Sequence, residues 1–161
     1  MPIDWVVHAN QYYQGQGFPP YMWSVFEDSP WTLFEKTLDQ ARIALLSSAG
    51  ISRDDQAPFD PWAVNDLSFR RIPVDTPFER LKLHHNFFDH RDALKDLNCV
   101  FPVRRLKELE QAGFIGSLAS TAITLGMGRM YKRSALPKKT VRPIMEVLKA
   151  QETDAVLLIA A

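Results

Sequence analysis

The sequence predicts an α/β domain: a mainly parallel sheet flanked by helices, with an aromatic-rich extended N-terminal arm. Two short apolar runs, RIALLS (42–47) and AVLLIA (155–160), have the length and composition of strands buried on both faces. Helical apolar stripes fall between them, and strand and helix patterns alternate along the chain. The length, 161 residues, suits a single domain body.

Residues 1–35 form the expected arm. Trp5, Tyr12, Tyr13, Phe18, Tyr21, Trp23, Phe26, Trp31 and Phe34 crowd there, with Pro19, Pro20 and Pro30 between them. That spacing is not an amphipathic helix. It reads as an extended segment whose rings lie on the domain or on an oligomeric partner, since aromatics are enriched at interface cores. Residues 36–161 form the α/β body. A helix is predicted over 30–40, with Leu33, Phe34, Thr37 and Leu38 at helical spacing. The strand 42–47 follows and ends in Ser47-Ser48-Ala49-Gly50, small residues that let a ligand or another backbone come close. The stretch 52–77, with four prolines, reads as a long ordered loop containing an extended piece near 68–72.

Residues 80–84 read as a second strand and 89–97 as a short helix, with Asp89 a candidate N-cap. Residues 102–112 form a clear helix, with Pro102 at its start and Gly113 as its stop. A third strand is expected over 114–120. A helix follows over 134–150, with Pro143 bending it or marking its true start. The run 155–160 is the fourth buried strand.

Composition excludes several classes. Lys plus Arg equals Asp plus Glu, 19 each, which gives no support for nucleic-acid binding or for an anionic membrane surface. One cysteine, Cys99, forbids an intramolecular disulfide framework and fits a reducing compartment. The first fifteen residues lack the basic and apolar regions of a signal peptide. The apolar stretch 114–127 is too short to span a bilayer. A cytoplasmic location is the expectation.

Three of the four histidines, His84, His85 and His90, sit in one window beside Asp89, Asp96 and Asn98. Adjacent residues of a strand face opposite ways. The loop-side His85 is therefore the candidate acid/base, its pKa being near neutrality, and Asp89 is a second candidate catalytic, site-shaping residue. Asp96 and Asn98 either contact substrate and hold the His85 loop, or simply bond the local backbone. Arg70 is a candidate for a substrate carboxylate through its planar fork. His85, Asp89 and His90 invite a metal reading, but no zinc-type ligand spacing accompanies them, and no metal is assigned. Gly126-Met127-Gly128, followed by Arg129, Lys132 and Arg133, is a weak anion signal without the P-loop pattern. Cys99 has no partner for a dithiol cycle and reads as a buried small hydrophobe.

Four ordered blocks carry a resemblance: ARIALLSSAGI (41–51), NDLSFRRIP (65–73), HNFFDHRDALKDLNCVFPVRRLKELEQAGFIGSLAS (85–120) and DAVLLIAA (154–161). They resemble the selenoprotein B component of the glycine/sarcosine/betaine/D-proline reductases. The resemblance implies a component for reductive cleavage of a C–N bond of an amino acid or related amine. A selenolate or thiolate attacks carbon there. Other reductase subunits and a thioredoxin-type thiol donor are the implied partners, and no cofactor is implied within this chain. The family's selenocysteine or cysteine lies just after the strand that matches DAVLLIAA, where this sequence has none. The expectation is a UGA codon taken as stop, with a natural degenerate form as the alternative, leaving a catalytically crippled fragment. The competing expectations are a non-catalytic scaffold that associates, as a homo-oligomer or otherwise, through its arm and last strand, and a metal-dependent hydrolase.

Overall fold

The computed structural model describes residues 4–20, 22–86, 88–126 and 133–161. The chain divides into two compact units, Met1–Leu33 and Phe34–Ala161.

In the first unit, α1 (Trp5–Gly15) is helical, where an extended arm was expected. Asp4 caps it, its Oδ1 accepting from the Val7 amide at 3.3 Å. The eleven residues contain no glycine or proline before Gly15, so nothing interrupts the helix. Tyr12 meets Tyr13 edge-on within it, and Tyr13 meets Phe18, just past its end, edge-on as well. The described residues of 18–33 contain neither helix nor strand.

The second unit is built on β1 (Arg42–Ser47). One edge of β1 pairs in parallel with β5 (Ser117–Leu118) and then β6 (Thr121–Leu125). Ala119 and Ser120 bulge out between those two strands. The other edge pairs in parallel with β7 (Ala155–Ile159), from Ile43↔Ala155 to Ser47↔Ile159. β3 (Phe69–Pro73) joins β6 antiparallel, so the sheet is mixed but mostly parallel. A separate antiparallel ribbon joins β2 (Ile51–Arg53) to β4 (Leu81–Leu83).

Alternation along β1 divides the core between two faces. Ala44 joins Ala119 and Ile123 under Ile144, Val147 and Leu148 of α4 (Arg142–Ala150). Ile43 and Leu45 face Ile51, Ile72, Leu81 and Phe101, with Ala93 of α2 (Arg91–Lys95) and Val103 and Leu106 of α3 (Val103–Gln111). α3 ends at Gly113, whose φ of 72° suits the residue that stops a helix. A π turn over Pro137–Val141 leads into α4 and places Pro143 in its first helical turn, where the missing N–H costs little.

Five local expectations are corrected. The helix expected over 30–40 is reduced to a 3₁₀ turn, Leu38–Gln40. Leu33, Phe34 and Leu38 are exposed, so no buried face holds a helix there. The 52–77 loop holds most of β2 and all of β3. The strand expected over 114–120 is short, and the longer β6 follows its bulge. β7 is a strand but is not buried: Val156, Leu157 and Leu158 are 36%, 37% and 68% exposed. Among the described residues no strand pairs with its outer edge. Cys99, expected to be buried, is exposed.

Candidate functional site

The carboxyl tip of β1 gathers four other parts of the chain, largely through main-chain hydrogen bonds. The buried Ser47 hydroxyl donates to the Val100 carbonyl at 2.7 Å and accepts from the Ala49 amide at 3.2 Å. The Ser48 amide donates to Ile159 O, and the Ala161 amide donates to Ser48 Oγ, both at 3.0 Å. The Gly50 amide donates to Leu125 O at 2.8 Å, and Gly50 O accepts from the His84 amide at 3.0 Å. Gly50 has a φ of 67°, and a Cβ there would lie 3.5 Å from the His85 backbone nitrogen and 3.8 Å from Gly126 Cα. The small residues that end β1 therefore bring its own tip, β6, β7, the 84–85 segment and the 97–100 turn together.

His84 and His85 leave β4 with different surroundings. His84 Nε2 lies 2.8 Å from the hydroxyl of Ser52, a residue only 1% exposed. Its ring meets Phe59 edge-on at 6.5 Å between centroids. Burial first, then the positive charge of Arg70, holds its pKa below the ordinary histidine value. His85 is buried, with Phe88 edge-on at 4.9 Å. Its pKa is also lowered, first by burial and then by His90. His90 is anchored separately, Nδ1 lying 3.2 Å from the Phe88 carbonyl.

The other sequence candidates are spent on local contacts. Asp89 is exposed and forms a forked pair with Arg91, Nε at 2.8 Å and Nη2 at 2.5 Å. That hydrogen bond, then the Arg91 amide, holds its carboxyl below the usual range. Asp89 Oδ1 accepts from the Arg91 amide at 3.2 Å, so it serves the start of α2 while His90 occupies the capping position. Asp96 Oδ1 accepts from the Asn98 amide at 3.0 Å and from Asn98 Nδ2 at 2.8 Å. The backbone hydrogen bond, then the side-chain one, lowers its pKa. This is the local-backbone arrangement, but it lies two residues before Val100, which Ser47 holds at the tip. Asn98 Oδ1 is buried with no partner among the described residues.

Arg70 is oriented by main chain rather than by a carboxylate. Its Nε donates to Ala57 O at 2.8 Å, Nη1 to Phe69 O at 3.2 Å and Nη2 to Pro58 O at 3.3 Å, and the guanidinium lies 4.1 Å from the Phe59 ring centroid. A substrate carboxylate would have to displace one of these carbonyls. Among the described residues, no three His, Cys, Asp or Glu side chains are arranged to hold a metal ion. No described helix is long and apolar enough to cross a membrane. Residues 127–132, the heart of the weak anion signal, lie outside the described residues.

Sequence reasoning singled out the Ser47–Gly50 exit and His85. It missed Ser52 and Phe59, and it set His84 behind His85. No local signal pairs Ser52 with His84, which lie 32 residues apart.

An open α/β sheet with polar groups gathered at the carboxyl ends of its strands defines a class of domain that places its site at those ends. The chain belongs to the glycine/sarcosine/betaine reductase selenoprotein B family, whose model matches residues 21–161. It is 34% identical over 130 residues to the D-proline reductase subunit gamma of Acetoanaerobium sticklandii, covering 81% of this chain and 52% of that one. It is 30% identical over 133 residues to the glycine reductase complex component B subunit gamma of Symbiobacterium thermophilum, covering 76% of this chain and 29% of that one. The chain thus spans about half of the first relative and under a third of the second. No solved structure matches it.

Proposed function

We propose that this chain is a component of a thiol- or selenium-dependent reductase that cleaves a C–N bond of an amino acid or related amine in the cytoplasm, with other reductase subunits and a thioredoxin-type thiol donor as partners. The family match over residues 21–161 carries the reading, and the assembly of five chain segments at the tip of β1 supports it. In this reading His85 handles a proton at the reacting centre, as its burial against Phe88 fixes its ring. Asp96 and Asn98 support the same tip through the 97–100 turn. Asp89 and Arg70 join only by leaving their present partners. The exposed apolar residues of β7 favour a second reading, a non-catalytic subunit that associates through that strand.

The deciding experiment combines this chain with the other reductase subunits and a dithiol donor. It measures thiol oxidation dependent on glycine, sarcosine, betaine or D-proline. Turnover is expected, and His85→Ala should lower it by roughly 10²–10⁴, the range for a lost acid/base group. No amine-dependent oxidation with any of the four substrates overturns the reductase reading. Turnover that is unaffected by His85→Ala removes His85 from the chemistry.

A further inference from the structure

We infer that His84, held through Nε2 by the buried Ser52 hydroxyl, is a second proton-transferring residue at the strand tips, taking the proton of a thiol through Nδ1. The inference rests on the reductase reading above and names a residue that the reading leaves idle.

The geometry has three parts. Ser52 is almost fully buried on β2, and its hydroxyl meets His84 Nε2 at 2.8 Å, so one ring nitrogen is tied to a fixed group. Among the described residues none partners Nδ1, and the ring is only half-buried. Activated nucleophiles use such a base, oriented on one side by a third group and open on the other. The ring is also braced. Phe59 is 3% exposed and meets His84 edge-on, while Arg70 covers Phe59 at 4.1 Å and is itself pinned by three carbonyls.

The elements packed around His84 set its charge. β2 contributes Ser52, the 57–59 stretch contributes Phe59, and β3 contributes Arg70, the charged group that acts on the ring. Burial and that cation both disfavour imidazolium, so the ring is neutral near pH 7. A neutral imidazole has the lone pair needed to take a thiol proton; thiols titrate near pH 8.5, above this ring, so the transfer is uphill by itself and is drawn forward as the thiolate reacts. The step transfers one proton from S–H to Nδ1, giving a thiolate and an imidazolium, and moves no electrons. The imidazolium beside Arg70 is then a ready donor to a departing amine.

Nitrogen-15 histidine NMR tests the arrangement on this chain. In the wild type, His84 should titrate below the ordinary histidine value and be mainly the Nε2–H tautomer, with Nε2 donating to Ser52 Oγ and Nδ1 free as the base; a dominant Nδ1–H tautomer overturns the inference. Arg70→Met should raise its midpoint, and Ser52→Ala should mix its tautomers. Carbethoxylation read by mass spectrometry should modify His84 at least tenfold faster than buried His85. An ordinary His84 titration unchanged in both variants, or modification no faster than His85, overturns the inference. In the reconstituted reductase, His84→Gln should lower kcat at least tenfold with KM for the amine unchanged, and Arg70→Met should shift the acid limb of the pH–rate profile upward. Wild-type turnover matched by His84→Gln overturns this role alone. Absent wild-type turnover overturns the reductase reading and this role with it.

Discussion

Gly126→Ala tests how tightly the strand tips are built. Gly126 follows β6, and a Cβ there would sit 2.8 Å from Phe59 Cδ1 and 3.3 Å from Cε1. Ordinary carbon contacts begin near 3.5 Å, so the Phe59 ring must retreat by about 0.7 Å. It has little room, being 3% exposed with Arg70 over its face. Overpacking of this kind costs about 1–3 kcal/mol. For a chain of this size each kcal/mol lowers Tm by about 2–4 °C, so a fall of roughly 2–12 °C is expected by circular dichroism. Gly15→Ala is the control, since a Cβ at Gly15 meets nothing within 4 Å. Phe59 is the edge-on neighbour of His84, so its displacement should shift the His84 ring resonances in Gly126→Ala and leave them in place in Gly15→Ala. A Tm within 1 °C of wild type, together with unshifted His84 resonances, would refute the close Gly126–Phe59–His84 packing.

Two further outcomes follow from burial. His84 and His85 both have folded-state pKa values below the ordinary histidine value of about 6.5. The unfolded chain therefore binds more protons just below that pH. Their contribution is complete above about pH 6.5 and is lost as pH falls through the folded values. Urea midpoints from pH 8 to pH 5 should fall on the acid side, and less so in a His84→Gln, His85→Gln double variant; an equal fall in that variant would assign the effect to other groups. Ile123→Ala removes a fully buried side chain beneath α4 and should cost about 2–5 kcal/mol in urea unfolding; a loss under 1 kcal/mol would mean that α4 closes the space.

What the sequence disclosed depended on how local the deciding interaction is. β1 was readable because six consecutive residues carry its buried, parallel character in their own composition. α3 was readable because Pro102 and Gly113 bracket one amphipathic stripe. The helix expected over 30–40 had the right spacing but nothing to pack on, and spacing alone does not hold so short a helix. α1 was misread because its aromatics fall off helical spacing, while Asp4 and an uninterrupted run of residues supply the helix instead. β5 and β6 merged in the reading because the apolar run continues through the bulge at Ala119–Ser120. At the site, the SSAG exit announced close backbone approach, and Gly50 provides it. The Ser52–His84 contact is set by the β2–β4 register, in which Ser52 faces Lys82. That register follows from tertiary pairing, and residue types show only that two short strands are available.

The way each candidate reaches the tip separates the candidates physically. His84 is placed by its own amide on Gly50 O, Ile159 by its carbonyl on the Ser48 amide, and Leu125 by its carbonyl on the Gly50 amide. Main-chain bonds do not depend on side-chain identity, so these positions tolerate change in the surrounding loops. Val100 is placed by one buried hydroxyl, Ser47, and carries the Asp96–Asn98 turn with it. Asp89 is placed by neither route: an exposed arginine two residues away holds it, and such pairs contribute little at a surface. Substituting Ser47 should therefore disturb the tip, while substituting Arg91 should free Asp89 and leave the tip intact. The chemistry is best sought among groups whose positions the sheet itself determines, and His84 and His85, at the end of β4 against Gly50, meet that condition while Asp89 does not.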